Sequence, residues 1–178
     1  MPVRNIWRAL CACIGLWAAT ASGQLPALPG GATSLREVHG DWVVNCVITG
    51  QNDQARKACA MSQEQRDNRT NQRVIAIELQ PAQDTGTLML FLPFGLDLSY
   101  GAIMQVDDEA KGAAQPFRTC VPAGCIVAAT ADGKMLASMR RGTALKVSTK
   151  ADGGRETTFS LSLNGFASAF DRTVALAK

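Results

Sequence analysis

Cysteines are the residues of this chain with the clearest chemical potential, and four of the six lie well beyond its N-terminus, at Cys46, Cys59, Cys120 and Cys125. Zinc sites group four Cys or His ligands in closely spaced pairs, whereas the spacings here are C-x12-C and C-x4-C and the chain has one histidine. Redox sites typically use C-x-x-C, which is absent. The pattern therefore predicts disulfides in an oxidising compartment, with no metal and no cofactor.

Local geometry favours one of the three pairings that four cysteines allow. Cys120 and Cys125 flank the sequence Val-Pro-Ala-Gly, in which proline presets φ and glycine accepts a positive φ, as a tight turn requires. Residues that face each other across a hairpin are close enough for a disulfide. We therefore expect Cys120 to pair with Cys125, which leaves Cys46 to pair with Cys59 around a polar loop, VITGQNDQARKA.

Histidine and carboxylates offer the other candidate chemistry. His39 is the only histidine that could activate a nucleophile, but it precedes Gly40 at a strand entrance and the chain has no G-x-S-x-G motif. We interpret His39 as a turn or surface residue. The acidic run 107–109 (Asp-Asp-Glu) suggests paired carboxylates of a hydrolase or part of a calcium site, but Ala-Lys-Gly follows and favours a solvated turn. The sequence thus predicts no catalytic residue.

The first 21 residues have the form of a secretory signal peptide. Two arginines precede an almost wholly apolar stretch, residues 6–19, and small residues follow it. We predict cleavage after Ala21, with Gly23 as the alternative, whereas lipidation at Cys13 is disfavoured because the apolar stretch before it is very short. Cleavage lowers Lys plus Arg from 18 to 16, against 15 Asp plus Glu. The mature chain is then almost neutral, which argues against a nucleic-acid partner.

The rest of the chain predicts one domain of short strands. Residues 22–35 are rich in Pro and Gly and are typical of a flexible segment. Helices are predicted over 132–142, after an Asp132 cap, and over 164–173, after an Asn164 cap. Many short strands between turn residues indicate an all-β sandwich or barrel with one or two short helices. Strands are predicted from alternation and β-branched content at 41–48, 73–80, 87–94, 103–106, 115–120, 126–130, 144–150 and 156–162.

Five short motifs stand in order along the chain. They are GDWVVNC (40–46), CAMSQ (59–63), LFLPFGLDL (90–98), PFRTCVPAGC (116–125) and LSLNGFASAFD (161–171). In order and spacing this set resembles the invasion-associated locus B family of exported bacterial proteins. The resemblance implies that residues 36–178 form an immunoglobulin-like β-sandwich. It also implies a location in the periplasm, at the outer membrane or outside the cell, and an association with host-cell invasion in some pathogens.

The stretch LFLPFGLDLSYGAIM (90–104) offers the most specific functional hypothesis. It is unusually apolar for a segment that Pro93 and Gly95 interrupt. Two core strands joined by a turn account for it, and the alternative is that Phe94, Leu96 and Leu98 are exposed at a sheet end and contact a partner.

We therefore interpret the chain as a non-enzymatic protein of the bacterial envelope. It is expected to bind a protein partner in the envelope or on a host cell, and to touch a membrane only peripherally. Two other functions are considered. One is a periplasmic hydrolase that uses the carboxylates at 107–109. The other is a binder of anionic envelope components, which would need basic residues such as Arg66, Arg69 and Arg73 to share one face.

Overall fold

A computed structural model describes residues 26–178, which fold into two antiparallel sheets and two helices. The predicted signal peptide, residues 1–21, lies outside the described residues. The helices are α1 (Gly133–Arg141) and α2 (Phe166–Ala177), and single 3-10 turns lie at Pro29–Gly31 and Asn52–Gln54. The strands are β1 (Ser34–His39), β2 (Trp42–Thr49), β3 (Arg56–Arg66), β4 (Arg73–Ala82), β5 (Thr85–Leu92), β6 (Ile103–Val106), β7 (Phe117–Val121), β8 (Gly124–Ala131), β9 (Ala144–Lys150) and β10 (Glu156–Ser162).

The larger sheet has seven strands in the order β1-β2-β3-β4-β5-β8-β7, and the smaller has three in the order β10-β9-β6. Strands β1 to β5 form a meander, so each pairs with its neighbour in the chain. The small sheet and both helices contribute to one hydrophobic core with the large sheet, on the side that we call its inner face. The predicted all-β class, with short helices added, is confirmed.

Alternation along the strands determines the inner face, because successive side chains of a strand point to opposite sides. In β2 the buried residues are Trp42, Val44 and Cys46, and in β4 they include Ile75 and Ile77, as the sequence pattern predicts. Within the described residues, no helix is long and apolar enough to cross a membrane.

Trp42 joins three parts of the core. Its ring packs edge-on against Phe166 of α2, with 5.1 Å between ring centroids. Its indole N–H donates a hydrogen bond to the carbonyl of Ser162, at the end of β10, at 3.0 Å. The same carbonyl accepts a hydrogen bond of 2.9 Å from the side chain of Gln63 in β3. A single partly buried carbonyl therefore links the large sheet to the small one.

The structure differs from the sequence prediction at three places. Strands β1 and β3 were not predicted. β2 and β3 extend into the two ends of the predicted polar loop between the first two cysteines, because residues 56–58 pair with residues 47–49. Helix α2 follows an N-cap at Gly165, whose φ is 84°, and Asn164 does not cap it. Residues 34–35, the last of the predicted flexible segment 22–35, already belong to β1, and Leu28 is buried in the core.

Candidate interaction surface

The four cysteines form two disulfides, in the pairing that hairpin geometry favours. Cys46 bonds to Cys59 across β2 and β3, with 4.1 Å between Cα atoms, and Cys120 bonds to Cys125 across β7 and β8, with 3.9 Å. Both pairs occupy directly opposed strand positions. These sulfurs are used in crosslinks, and among residues 26–178 no group of three or more His, Cys, Asp or Glu is placed to hold a metal.

The acidic run 107–109 has no shared site. Asp107 accepts hydrogen bonds from the hydroxyl of Thr143, at 2.6 Å, and from its backbone amide, and these bonds hold the pKa of the Asp107 carboxyl below its ordinary value. The second carboxylate pairs with Lys146 and the third accepts a hydrogen bond from Ser138. Each acid of the run thus has a different partner within the chain.

His39 lies between a hydroxyl and a carboxylate, but in a structural arrangement. Its Nδ1 is 3.3 Å from Oγ of Ser168, and its Nε2 is 3.5 Å from a carboxylate oxygen of Glu37. The Ser168 hydroxyl, however, donates to the carbonyl of Gly165, and both oxygens of Glu37 accept hydrogen bonds of 2.7 Å from Arg172. These bonds lower the pKa of the Glu37 carboxyl. The cluster fastens the edge strand β1 to helix α2.

Two of the three predicted contact residues are at the surface. Phe94 is 63% exposed and Leu98 is 47% exposed. Leu96 is half-buried, because it pairs with Ala151 in an isolated bridge and packs against the core. Gly95 has a φ of +82°, which a residue with a side chain rarely adopts, and the loop depends on it to turn between Phe94 and Leu96. Leu96 therefore anchors a loop that presents Phe94 and Leu98 to solvent.

The side of the large sheet opposite the core, which we call the outer face, carries apolar side chains among polar ones. At its centre, Phe91 of β5 pairs with Ala76 on one side and with Ile126 on the other, so three apolar side chains form one row. The apolar residues whose side chains alternate onto this face are Val38, Val43, Val47, Ala58, Ala60, Ala76, Met89, Phe91, Ile126 and Ala128.

A cleft of about 500 Å³ connects the outer face to the exposed loop, because Phe91 and Phe94 both line it. Arg73 also lines the cleft, with its guanidinium carbon 5.9 Å from the centroid of the Phe91 ring, and it donates a hydrogen bond to the carbonyl of Ala123. Gly124 closes the cleft with a φ of +122°, and a Cβ there would lie 2.5 Å from the Leu92 carbonyl oxygen. Only glycine lets the β7–β8 turn come this close.

Many of the basic residues considered for binding anionic partners already have partners within the chain. Arg66 lies 2.6 Å from the carboxylate of Glu64, and Arg73 lies 3.5 Å from it. Arg140 pairs with Asp171 at 2.8 Å. These arginines therefore form ion pairs with acids of the chain at separate places.

The outer face was missed from sequence, although a pattern that indicates it was visible. The run 87–94 is apolar at nearly every position, which is typical of a strand buried on both sides. In the structure only one side is buried, since Leu88 and Leu90 lie in the core whereas Met89 and Phe91 are half-exposed.

Comparisons with known proteins agree on one family. A family model described as "Invasion associated locus B (IalB) protein" matches residues 42–174. An invasion protein B homolog of Brucella abortus (strain 2308) is 41% identical over 154 residues, which cover 85% of this chain and 86% of the relative. Invasion protein B of Bartonella bacilliformis is 35% identical over 165 residues, which cover 90% of this chain and 86% of the relative. The crystal structure of invasion associated protein B from Bartonella henselae matches with a TM-score of 0.72 and 33% identity, covering 80% of this chain and 97% of that one.

Proposed function

The chain belongs to the invasion associated locus B family, and from this premise we propose that it is an exported, non-enzymatic protein of the bacterial envelope that acts by binding another protein. The outer face carries the proposal. Its centre is a row of apolar side chains, Ala76, Phe91 and Ile126, and clustered apolar side chains at a surface mark contacts with other molecules.

The size and composition of the outer face suit a protein partner. Seven strands about 4.8 Å apart and about 20 Å long span roughly 670 Å². That area is close to the ~800 Å² that each partner contributes to a standard interface. Aromatic side chains and Met are enriched at interface centres, and here Phe91 and Met89 lie centrally, with Phe94 beside them across the cleft.

Export is proposed from the start of the chain and from the sulfurs. Residues 1–21 have the form of a signal peptide, and two disulfides persist only where the compartment is oxidising. We expect the protein in the periplasm, attached to the outer membrane or secreted. N-terminal sequencing of the exported protein should begin at Ser22, or at Gln24 if cleavage follows Gly23.

The curated relatives are named invasion protein B or its homolog. For this chain we propose only that it contacts a protein partner in the envelope or on a host cell. The separate partners of the acids at 107–109 and the contacts of His39 with Glu37 and Ser168 are the observations behind the proposed role without catalysis.

Photocrosslinking in living cells tests the proposal. A photoreactive phenylalanine is introduced into the full-length protein at Met89, at Phe94 or, as a control, at Thr158, which is exposed on β10 of the small sheet. We expect Met89 and Phe94 to give adducts with the same protein, and Thr158 to give none.

A charge variant supplies the matched control. Met89→Lys puts a cation at the centre of the outer face without disturbing the core, so it should abolish the adduct formed at position 94 while leaving export and folding unchanged. The same adducts from Thr158, or an adduct at position 94 that survives Met89→Lys, would show that the outer face is not the binding surface.

A further inference from the structure

A second concave feature lies between α1, β6 and the segment 107–115, and it shares none of the apolar residues of the outer face. It is a cavity of about 330 Å³. Its floor is apolar, and two of its side chains are flexible methionines, which adapt to ligands of different shape. The apolar residues that line it include Met104, Val106, Ala129, Met135 and Leu145.

Polar groups of both signs surround this floor. Ser138 is only 6% exposed and donates a hydrogen bond of 2.7 Å to Glu109, which also lines the cavity. Lys111 and Lys134 also line the cavity. The fourth charged group, Asp132, caps α1 by accepting a hydrogen bond from the backbone amide of Met135.

The charges around the cavity are not neutralised within the described chain. Glu109 forms no ion pair with a Lys, Arg or His of residues 26–178, and neither lysine pairs with an acid there. The hydrogen bond from Ser138 comes from a neutral donor and uses one carboxylate oxygen of Glu109, which leaves the second oxygen for another partner. Two acids, Glu109 and Asp132, and two lysines, Lys111 and Lys134, therefore border the cavity without an ion pair within the described residues.

We propose that this cavity binds a small zwitterion with an apolar body, the chemistry of a hydrophobic amino acid or a short hydrophobic peptide. The ammonium group contacts Glu109, the carboxylate contacts Lys134 or Lys111, and the apolar side chain lies on Met104 and Met135. A ligand with a single charge would contact either Glu109 or a lysine, but not both. The volume lies at the small end of the ~300–1,000 Å³ that is typical of ligand sites.

The inference is independent of the outer face, since blocking one surface leaves the other intact. Isothermal titration of the mature, oxidised protein tests it with three probes: L-leucyl-L-leucine, its N-acetyl derivative and its C-terminal amide. We expect the free dipeptide to bind and each blocked derivative to bind at least about tenfold more weakly, because each loses one charge-assisted contact.

Three variants localise the binding. Glu109→Gln keeps an oxygen that accepts from Ser138 but removes the charge, and Lys134→Gln removes the opposite charge. Arg141→Gln is the control, because this exposed arginine is on the same helix but does not line the cavity. Circular dichroism verifies that each variant is folded.

Both cavity variants should weaken binding of the dipeptide about tenfold, and Arg141→Gln should leave it within about twofold. The proposal is overturned if none of the probes binds at millimolar concentration. It is also overturned if the N-acetyl derivative binds as tightly as the free dipeptide, or if Arg141→Gln weakens binding as much as Lys134→Gln.

Discussion

Two neighbouring residues of β5, Leu90 and Phe91, directly test which face of the large sheet is covered. Leu90 is fully buried on the inner face, between Ile77 and Val127 of the adjacent strands. Phe91 is half-buried on the outer face. Since strand propensity and position along the sheet are nearly the same for both, substitution by alanine compares the two faces.

The structure predicts costs of different size. Leu90→Ala removes a buried side chain and leaves a cavity in the core, so we expect the free energy of unfolding to fall by about 3 kcal/mol. Phe91→Ala removes a ring that is only partly shielded, together with a cation–π contact worth about 0.5 kcal/mol with Arg73. We expect its loss to be about 1 kcal/mol, although phenylalanine is the larger side chain.

Urea unfolding of the oxidised mature protein, followed by far-ultraviolet circular dichroism, measures both values. Thr87→Ala serves as the control, because Thr87 is exposed on the same strand and the same face, and its replacement should change stability by less than about 0.5 kcal/mol. If Phe91→Ala costs as much as Leu90→Ala, the outer face is covered. If the loss of unfolding free energy caused by Phe91→Ala grows with protein concentration, the outer face is covered by a second copy of the chain.

Three further predictions concern stability. Replacing both Cys120 and Cys125 by alanine should lower the free energy of unfolding by about 2 kcal/mol, because their disulfide closes a loop with a separation of 5 residues; an unchanged urea midpoint would contradict this. The pKa of Asp107 is lowered in the folded state, so its stabilisation is present above pH 3.8 and is lost as the pH falls below that value. Asp107→Asn should therefore make the free energy of unfolding fall less steeply as the pH is lowered through this range. If the pH dependence is unaltered, Asp107 does not contribute to stability. Trp42→Phe and Gln63→Leu each leave one hydrogen-bond donor to the Ser162 carbonyl, whereas the double variant leaves none. The double variant should therefore lower the free energy of unfolding by about 1–3 kcal/mol more than the sum of the two single changes. If the effects on the urea midpoint simply add, the two side chains do not depend on a shared acceptor.

Local pattern was enough to predict most strands and the direction of their side chains. β9 and β10 coincide with the predicted segments 144–150 and 156–162, because alternation is a property of each segment alone. β3 could not be predicted in that way, since Arg56–Arg66 is mostly polar. It becomes a strand because β2 and β4 pair with it on both sides and satisfy its backbone groups.

For the candidate sites too, features set by local sequence could be predicted and features set by distant contacts could not. Exposure of Phe94 was predictable, because Pro93 and Gly95 interrupt an apolar run and leave its last aromatic residue in a loop. The outer face was not, because an apolar strand looks the same in sequence whether its second side is covered or open. The cavity beside α1 was not visible either, since its walls come from segments about 30 residues apart that the small sheet brings together.

The crosslinks of the large sheet are consistent with a surface held ready for binding. The disulfide Cys46–Cys59 joins β2 to β3 and Cys120–Cys125 joins β7 to β8, so the two bonds flank the apolar centre on β4 and β5. At the edge, the Glu37–Arg172 ion pair fastens β1 to α2. A sheet fastened on both sides loses little conformational entropy when a partner docks, so more of the contact free energy appears as affinity. Folding alone does not require apolar side chains at the centre of this face, since threonine has a comparable strand propensity and would interact better with water. A rigid backing and an apolar centre together suit the proposed binding of another protein better than either feature alone.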